Sequence, residues 1–135
     1  MTTRELLLRL PGPGGLLRRT LEGNWVRETQ GTDVIWENDQ RSNVLFLPLL
    51  DLEPSAFHDA AGVEAAPLVE AVVRAALRSH SSRWLERALI WVPTCSVDNI
   101  EDALRWASMN APTQQLRHRA KRTLPHRPHT GDPIL

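Results

Sequence analysis

Side chains that could bind a metal ion are densest near the C-terminus, in the stretch RHRAKRTLPHRPH from Arg117 to His129. This stretch holds three of the five histidines of the chain, His118, His126 and His129, among five basic side chains. Closed zinc sites take pairs of ligands at short spacing from two elements, usually with cysteine. Here a single His pair is interrupted by Arg and Pro, and the surrounding positive charge disfavours a cation. We therefore predict no metal site and no cofactor.

The basic side chains of the same stretch are the best candidates for contact with nucleic acid, because arginine and lysine neutralise phosphates and release counterions. They are Arg117, Arg119, Lys121, Arg122 and Arg127. Single-strand binding also uses aromatic platforms, which this stretch lacks. The net charge of the chain is zero, whereas dedicated nucleic-acid-binding domains are strongly basic. Three interpretations stay open: a basic helix end on the protein's own acidic surface, a nucleic-acid contact, and a contact with protein.

Acidic side chains gather in the middle of the chain. Paired carboxylates can serve as acid and base or hold magnesium. A restriction-type nuclease would also need a lysine on a nearby strand, and the only lysine, Lys121, belongs to a distant predicted helix. We instead expect the acids to form a surface that faces a basic protein partner. This acidic set comprises Glu37, Asp39, Asp51, Glu53 and Asp59.

Two further motifs resemble catalytic signatures only superficially. Cys95 precedes a predicted helix, whose N-terminus would lower the pKa of its thiol, and His58 or His80 could serve as a base. No flanking motif supports this pairing, so we expect a plain buried or half-buried thiol. The turn PGPGG lacks the Gly-Lys-Ser/Thr ending of a phosphate loop and is interpreted as a flexible break. We therefore predict that the protein is not an enzyme.

Tryptophan supplies the strongest local sign of a binding surface. Trp25 and Trp36 fall on adjacent predicted strands and are expected to share one face of a sheet. Arg27 and Arg41 lie close to them in the sequence. Core packing is the default for each tryptophan. If the shared face is exposed, tryptophan beside arginine is typical of an interface hot spot, and these four residues are then predicted to bind a partner.

Composition places the chain among ordinary globular proteins. The 135 residues are 41% apolar and 24% charged, with one cysteine, which excludes a disulfide scaffold and favours a reducing compartment. ELLLRL is too short and interrupted for a secretory signal, and no window approaches the roughly 18 apolar residues of a spanning helix. We expect a soluble cytoplasmic protein without membrane contact, with one domain over residues 1–124 and a loosely ordered tail over 125–135.

Charge is divided unevenly along the chain. Residues 1–112 contain eleven arginines and 15 acidic residues, a net charge of −4, whereas residues 113–135 carry +4. Such asymmetry between parts of a chain predicts a role in binding.

The first half of the chain is predicted to form a small antiparallel sheet after a short helical N-terminus. Residues 3–10 are interpreted as a short helix or strand, and GLLRRTLEGN (15–24) as a second short helix. Strand-forming residues separated by turn formers then predict a three-stranded meander. Its strands are expected at 24–29, 32–37 and 43–50.

The second half is predicted to be helical. EAAPLVEAVVRAALRSH (64–80) is the clearest helix, and SVDNIEDALRWASMNAP (96–112) is another, with Asp98 as its N-cap. Residues 82–92 fit either a helix or a fourth strand at 88–92, with a slight preference for the strand. PTQQLRHRAKRTL predicts a basic C-terminal helix. The fold class is therefore α+β, with a small sheet packed against helices.

These observations predict a small protein-interaction module rather than an enzyme. Within that class, the hypothesis is an immunity, antitoxin or chaperone-like protein that masks one protein partner through its acidic surface. The alternative is a nucleic-acid-associated protein that uses the basic C-terminal helix. Self-association as a homodimer is compatible with either.

Overall fold

The computed structural model of the chain describes residues 5–125. Arg127, His126 and His129 of the basic stretch lie outside the described residues, as does the predicted tail beyond Pro125. Each helix among the described residues is too short or too polar to traverse a lipid bilayer.

Four strands form one antiparallel sheet at the N-terminal end of the described residues. They are β1 (Leu6–Arg9), β2 (Leu16–Arg19), β3 (Trp25–Thr29) and β4 (Thr32–Ile35). The strand order is β1-β2-β3-β4, so every connection joins neighbours. One face of the sheet packs on the core through Leu8, Leu17 and Trp25. The predicted α+β class is confirmed, and so are the first two strands of the meander.

Of the two alternatives for residues 3–10, the strand is observed, over Leu6–Arg9. The predicted second short helix is wrong, because residues 15–24 form strand β2 and the following turn. The PGPGG segment closes a hairpin in which the Leu10 N–H donates to the Gly15 carbonyl at 2.8 Å. Burial in β2 then alternates, with Leu17 and Arg19 buried. Leucines at helical spacing suggested a helix, but pairing with β1 and β3 decides the conformation.

The predicted third strand at 43–50 is also wrong. The segment forms helix α1 (Gln40–Leu45) and a 3-10 turn (Leu47–Asp51). Asp39 and Ser42 form a capping box, in which the Ser42 N–H donates to the Asp39 carboxylate at 2.8 Å. This cap starts a helix despite the strand-forming side chains that follow.

Five longer helices complete the domain. They are α2 (Pro54–Ala61), α3 (Ala66–Leu77), α4 (Ser82–Trp91), α5 (Val97–Asn110) and α6 (Gln114–Thr123). Helix α3 is the centre of the core and contacts α1, α4 and α5. The clearest predicted helix and the basic C-terminal helix are thus confirmed.

Of the two alternatives for residues 82–92, the helix is observed, and the slightly preferred strand at 88–92 is wrong, since residues up to Trp91 belong to α4. The Ser81 hydroxyl caps this helix by accepting from the Trp84 N–H at 3.3 Å. Leu85, Ala88 and Leu89 are buried at helical spacing along one face. Helical periodicity over three turns therefore outweighs the strand preference of its last residues.

Helix α5 begins two residues earlier than predicted, with Ser96 rather than Asp98 at the N-cap position. The start of α5 is bound to another helix: the Ser96 N–H and the Asn99 side-chain amide each donate to the buried Glu70 carboxylate at 2.8 Å. A carboxylate on α3 thus fastens the start of α5, an arrangement that no local pattern encodes.

Candidate functional site

An open depression of about 600 Å³ lies where the turn after β1, strand β3 and helix α4 meet. Pro11, Pro13 and the glycines between and after them form one rim. The charged side chains on its wall are Arg27, Arg83, Arg87 and Asp51, a net charge of +2. This site, the arginine depression, combines concave shape with a surplus of positive charge.

Arg27, in the middle of β3, is held by two hydrogen bonds of its side chain. Its Nε donates to the Gly14 carbonyl at 2.8 Å and its Nη1 donates to the Leu45 carbonyl at 2.7 Å. Burial lowers the pKa of the guanidinium. The guanidinium nevertheless stays charged at neutral pH, as arginine side chains effectively always do in proteins. Arg27 therefore presents a fixed cation to the depression.

Arg83 and Arg87 lie one turn apart on α4 and approach the depression from the other side. Arg83 Nη2 donates to both oxygens of Asp51, at 2.9 and 2.8 Å. Arg87 donates to the Leu50 carbonyl at 2.7 Å and to the Leu52 carbonyl at 3.0 Å. The single carboxylate of the site pairs with Arg83 and also lies 3.9 Å from Arg87 Nε. One negative charge thus faces three guanidinium groups, which leaves a net charge of +2 in the depression.

Trp84 adds an aromatic wall to this cationic site. The guanidinium carbon of Arg83 lies 4.1 Å from the centroid of the Trp84 ring, in a cation–π arrangement. A guanidinium carries five N–H donors, and the bonds above use at most two in each arginine. The depression can therefore accept a carboxylate or phosphate with an adjoining apolar group.

The predicted Trp–Arg surface is only partly where it was expected. Trp25 and Trp36 do lie opposite each other, with the Trp36 N–H donating to the Trp25 carbonyl at 2.8 Å. Their shared face is turned inward: Trp25 is 4% exposed, and the Trp36 indole donates to Asn43 at 2.7 Å. Of the four predicted residues, Arg27 lines the arginine depression.

The predicted acidic set is spread over several places, and two members cap helices. The Ser42 backbone N–H, followed by its hydroxyl, lowers the pKa of Asp39. The Ala56 backbone N–H, followed by the Ser55 hydroxyl, lowers the pKa of Glu53 at the start of α2.

The other acids of the set occupy separate surfaces. Glu37 lines a depression of about 380 Å³ beside β4 together with Asp39 and Arg41. Asp51 lies in the arginine depression, and Asp59 is exposed on α2. Contact of these acids with a partner stays a prediction.

The basic side chains of α6 divide into two groups. Arg117 donates to the Ala111 carbonyl at 2.8 Å, and Arg119 lines a small depression beside α4. Lys121 and Arg122 are exposed. The helix itself packs through Leu116 and Ala120, so only part of its basic surface faces outward.

The pKa of the Cys95 thiol is shifted in the direction opposite to the one expected from the helix N-terminus. Burial, and then the neighbouring Glu70 carboxylate, raise the pKa of its thiol to about 11. The two candidate bases pack against aromatic rings instead: His58 contacts Phe57 and Trp91, and His80 contacts Trp106. The expectation of an inert thiol fits this environment, whereas the expected lowering of its pKa by the helix was wrong.

Sequence reasoning missed Arg83, Trp84 and Arg87, which build most of the site. The two arginines are four residues apart, which places them on the same face if the segment is a helix. Because residues 82–92 fitted a strand as well as a helix, this spacing could not be used. Among residues 5–125, no group of three or more His, Cys, Asp or Glu side chains is arranged to hold a metal ion. No family model, curated protein or solved structure matches this chain.

Proposed function

We propose that this protein is an interaction module whose arginine depression receives an acidic segment of a protein partner. The observation that carries the proposal is the convergence of Arg27, Arg83 and Arg87 on one open depression that contains a single carboxylate. Strand β3 and helix α4, which are far apart in the sequence, supply these cations. Folding therefore brings their positive charges together. Electrostatic complementarity of this kind selects a partner and speeds encounter.

Trp84 favours a polypeptide as the ligand. Interface hot spots are enriched in tryptophan and arginine, and here the indole and the Arg83 guanidinium lie in contact. An acidic side chain would pair with the cations while a neighbouring apolar residue packs against the indole. The finer role that we propose is to mask one partner in the cytoplasm, as immunity, antitoxin or chaperone-like proteins do.

The test compares two arginines in similar surroundings. Arg83 is 59% exposed and paired with Asp51, whereas Arg105 on α5 is 56% exposed and paired with Glu101. Affinity capture from the cells that make the protein is followed by binding measurements on the purified partner. We expect Arg83→Glu to weaken binding by at least about tenfold and Arg105→Glu to leave it unchanged.

Two further results bear on the proposal. A panel of acidic peptides, with and without an aromatic residue, should bind the wild type in a salt-dependent manner and Arg83→Glu weakly. Equal binding of the partner by wild type and Arg83→Glu, with no acidic peptide bound, would reject the arginine depression as its docking site.

Nucleic-acid association is the second candidate, and it rests on α6. Residues Gln114–Thr123 contain no acidic side chain, and Lys121 and Arg122 are exposed. Deleting the helix would remove the buried Leu116 and Ala120, so point variants make the cleaner test. We expect the double variant Lys121→Gln, Arg122→Gln to lower affinity for a DNA and RNA panel and to reduce its salt dependence. Absence of salt-sensitive binding by the full chain would exclude this function.

A further inference from the structure

The apolar side chains on the second face of the sheet do not belong to the core cluster of the described residues. Leu7 and Ile35 on this outer face are 59% and 53% exposed. Val26 is 5% exposed, yet it does not belong to the core cluster that Leu17 and Trp25 join. Successive residues of a strand point to opposite faces, so Val26 lies at the centre of the outer face between neighbouring strands.

Strand register arranges the outward residues in two rows. The first row is Leu7, Arg18, Val26 and Ile35, and the second is Arg9, Leu16, Glu28 and Asp33. Arginines belong to β1 and β2, and acidic residues to β3 and β4. The outer face therefore has a basic half and an acidic half, with apolar residues in both.

Part of this charge is neutralised within the chain. Arg18 Nε lies 3.1 Å from Glu28 Oε2 at the centre of the face. Arg9 on β1 and Asp33 on β4 are exposed at opposite edges of the sheet. The four charged residues of the face sum to zero, so the face suits neither a strongly acidic nor a strongly basic partner.

We infer that this face binds a second copy of the chain. A two-fold axis in the plane of the interface, parallel to the strands, places β1 over β4 of the second copy and β2 over β3. Arg9 then faces the Asp33 position of the other copy, and Leu7 faces the Ile35 position. Each contact occurs twice, as in every isologous dimer. The two charges at the edges, Arg9 and Asp33, meet their opposites, whereas Arg18 faces the Val26 position and Leu16 faces the Glu28 position. Arg18 and Glu28 keep the ion pair that they form within each chain.

The resulting dimer is a sheet-on-sheet sandwich. Packed sheets lie about 10 Å apart with their strands within about 30° of each other, which is compatible with the side chains on this face. The arginine depression stays accessible, because Arg27 projects from the opposite face of β3. The dimer is thus independent of the proposed partner site.

Sedimentation of the full chain, measured over a range of concentrations, tests this inference. We expect the wild type to form a dimer and Ile35→Glu to raise its dissociation constant by at least about tenfold. Met109→Glu is the matched control, since Met109 is an exposed apolar residue of α5 and should leave the dimer unchanged. Circular dichroism confirms that each variant is folded.

Charge reversal tests the orientation of the two copies. Arg9→Asp alone should weaken the dimer because it faces Asp33, and the double variant Arg9→Asp, Asp33→Arg should restore it. If the wild type sediments as a monomer at all concentrations, the inference is wrong. This holds also if another part of the same chain covers the outer face. If the double variant does not regain the dissociation constant of the wild-type dimer, the proposed two-fold axis is wrong.

Discussion

At the scale of single residues, Gly15 shows how tightly the N-terminal hairpin is specified. Its backbone has φ +85° and ψ −143°, and a Cβ built on it would lie 2.1 Å from the Glu28 carbonyl oxygen. Backbone atoms of β3 cannot move aside without breaking the sheet. Glycine at this position therefore permits the close approach of β2 to β3.

Gly15→Ala should lower the free energy of unfolding by at least about 2 kcal/mol, because it adds both strain and a backbone clash. Gly31→Ala is the control: Gly31 also has positive φ, +72°, but no atom lies within 4 Å of the Cβ position. We expect it to cost about 1 kcal/mol. Urea denaturation of both variants measures the difference, and equal losses would contradict the clash.

Cys95 permits a prediction about reactivity. Because burial and Glu70 raise the pKa of its thiol to about 11, little thiolate exists near neutral pH. The rate of alkylation by iodoacetamide should keep rising with pH beyond about 9, where an unperturbed thiol levels off near its pKa of about 8.5. The chain unfolded in denaturant is the reference. If the alkylation rate of the folded protein stopped rising near pH 8, the pKa of the thiol would not be raised and this prediction would be wrong.

At the scale of elements, the contact between α3 and α5 depends on Glu70. Its buried carboxylate accepts from Ser96 and Asn99, and Ser96 has no side-chain cap of its own. Removing this carboxylate would leave donors at the start of α5 without their acceptor. Ser96 and Asn99 are exposed, so water can replace the acceptor, and the loss is that of hydrogen bonds to a charged group, up to about 1.5–3 kcal/mol.

Glu70→Ala should therefore destabilise the protein by about 1–3 kcal/mol in chemical denaturation. It should also lower the pKa of the Cys95 thiol, because the carboxylate is one of the causes of its elevation. Glu86→Ala, an exposed acid of α4, should change stability by less than about 0.5 kcal/mol. Unchanged stability of Glu70→Ala would mean that α5 starts without this contact.

Sequence patterns succeeded for some elements and failed for others, for a common reason. Helix α3 has apolar residues at helical spacing over three turns. Its conformation can therefore be predicted without knowing which elements pack against it. Strand β2 is four residues long, and its conformation follows from pairing with β1 and β3. Short segments carry too few residues for periodicity to decide their conformation.

At the scale of the whole molecule, the two proposed surfaces lie on different faces of the sheet. Arg27 of the arginine depression projects from one face of β3, and Val26 of the outer face projects from the other. Binding at one should leave the other intact.

We expect Arg83→Glu to dimerise like the wild type while losing the acidic partner. Ile35→Glu should lose the dimer and retain the partner, as measured by sedimentation and by binding to the purified partner. Loss of both properties in either variant would show that the surfaces are coupled. The free-energy effects of substitutions at sites without shared contacts usually add.

By itself the sequence determined the α+β class, the central helix, the first two strands of the meander and the basic C-terminal helix. These features follow from local periodicity and turn chemistry. Only the tertiary structure decided that Arg27 and Asp51 meet Arg83 and Arg87, and that Trp25 faces inward. Such placements depend on which elements pack together, and side chains distant in the chain become neighbours only when the core has formed.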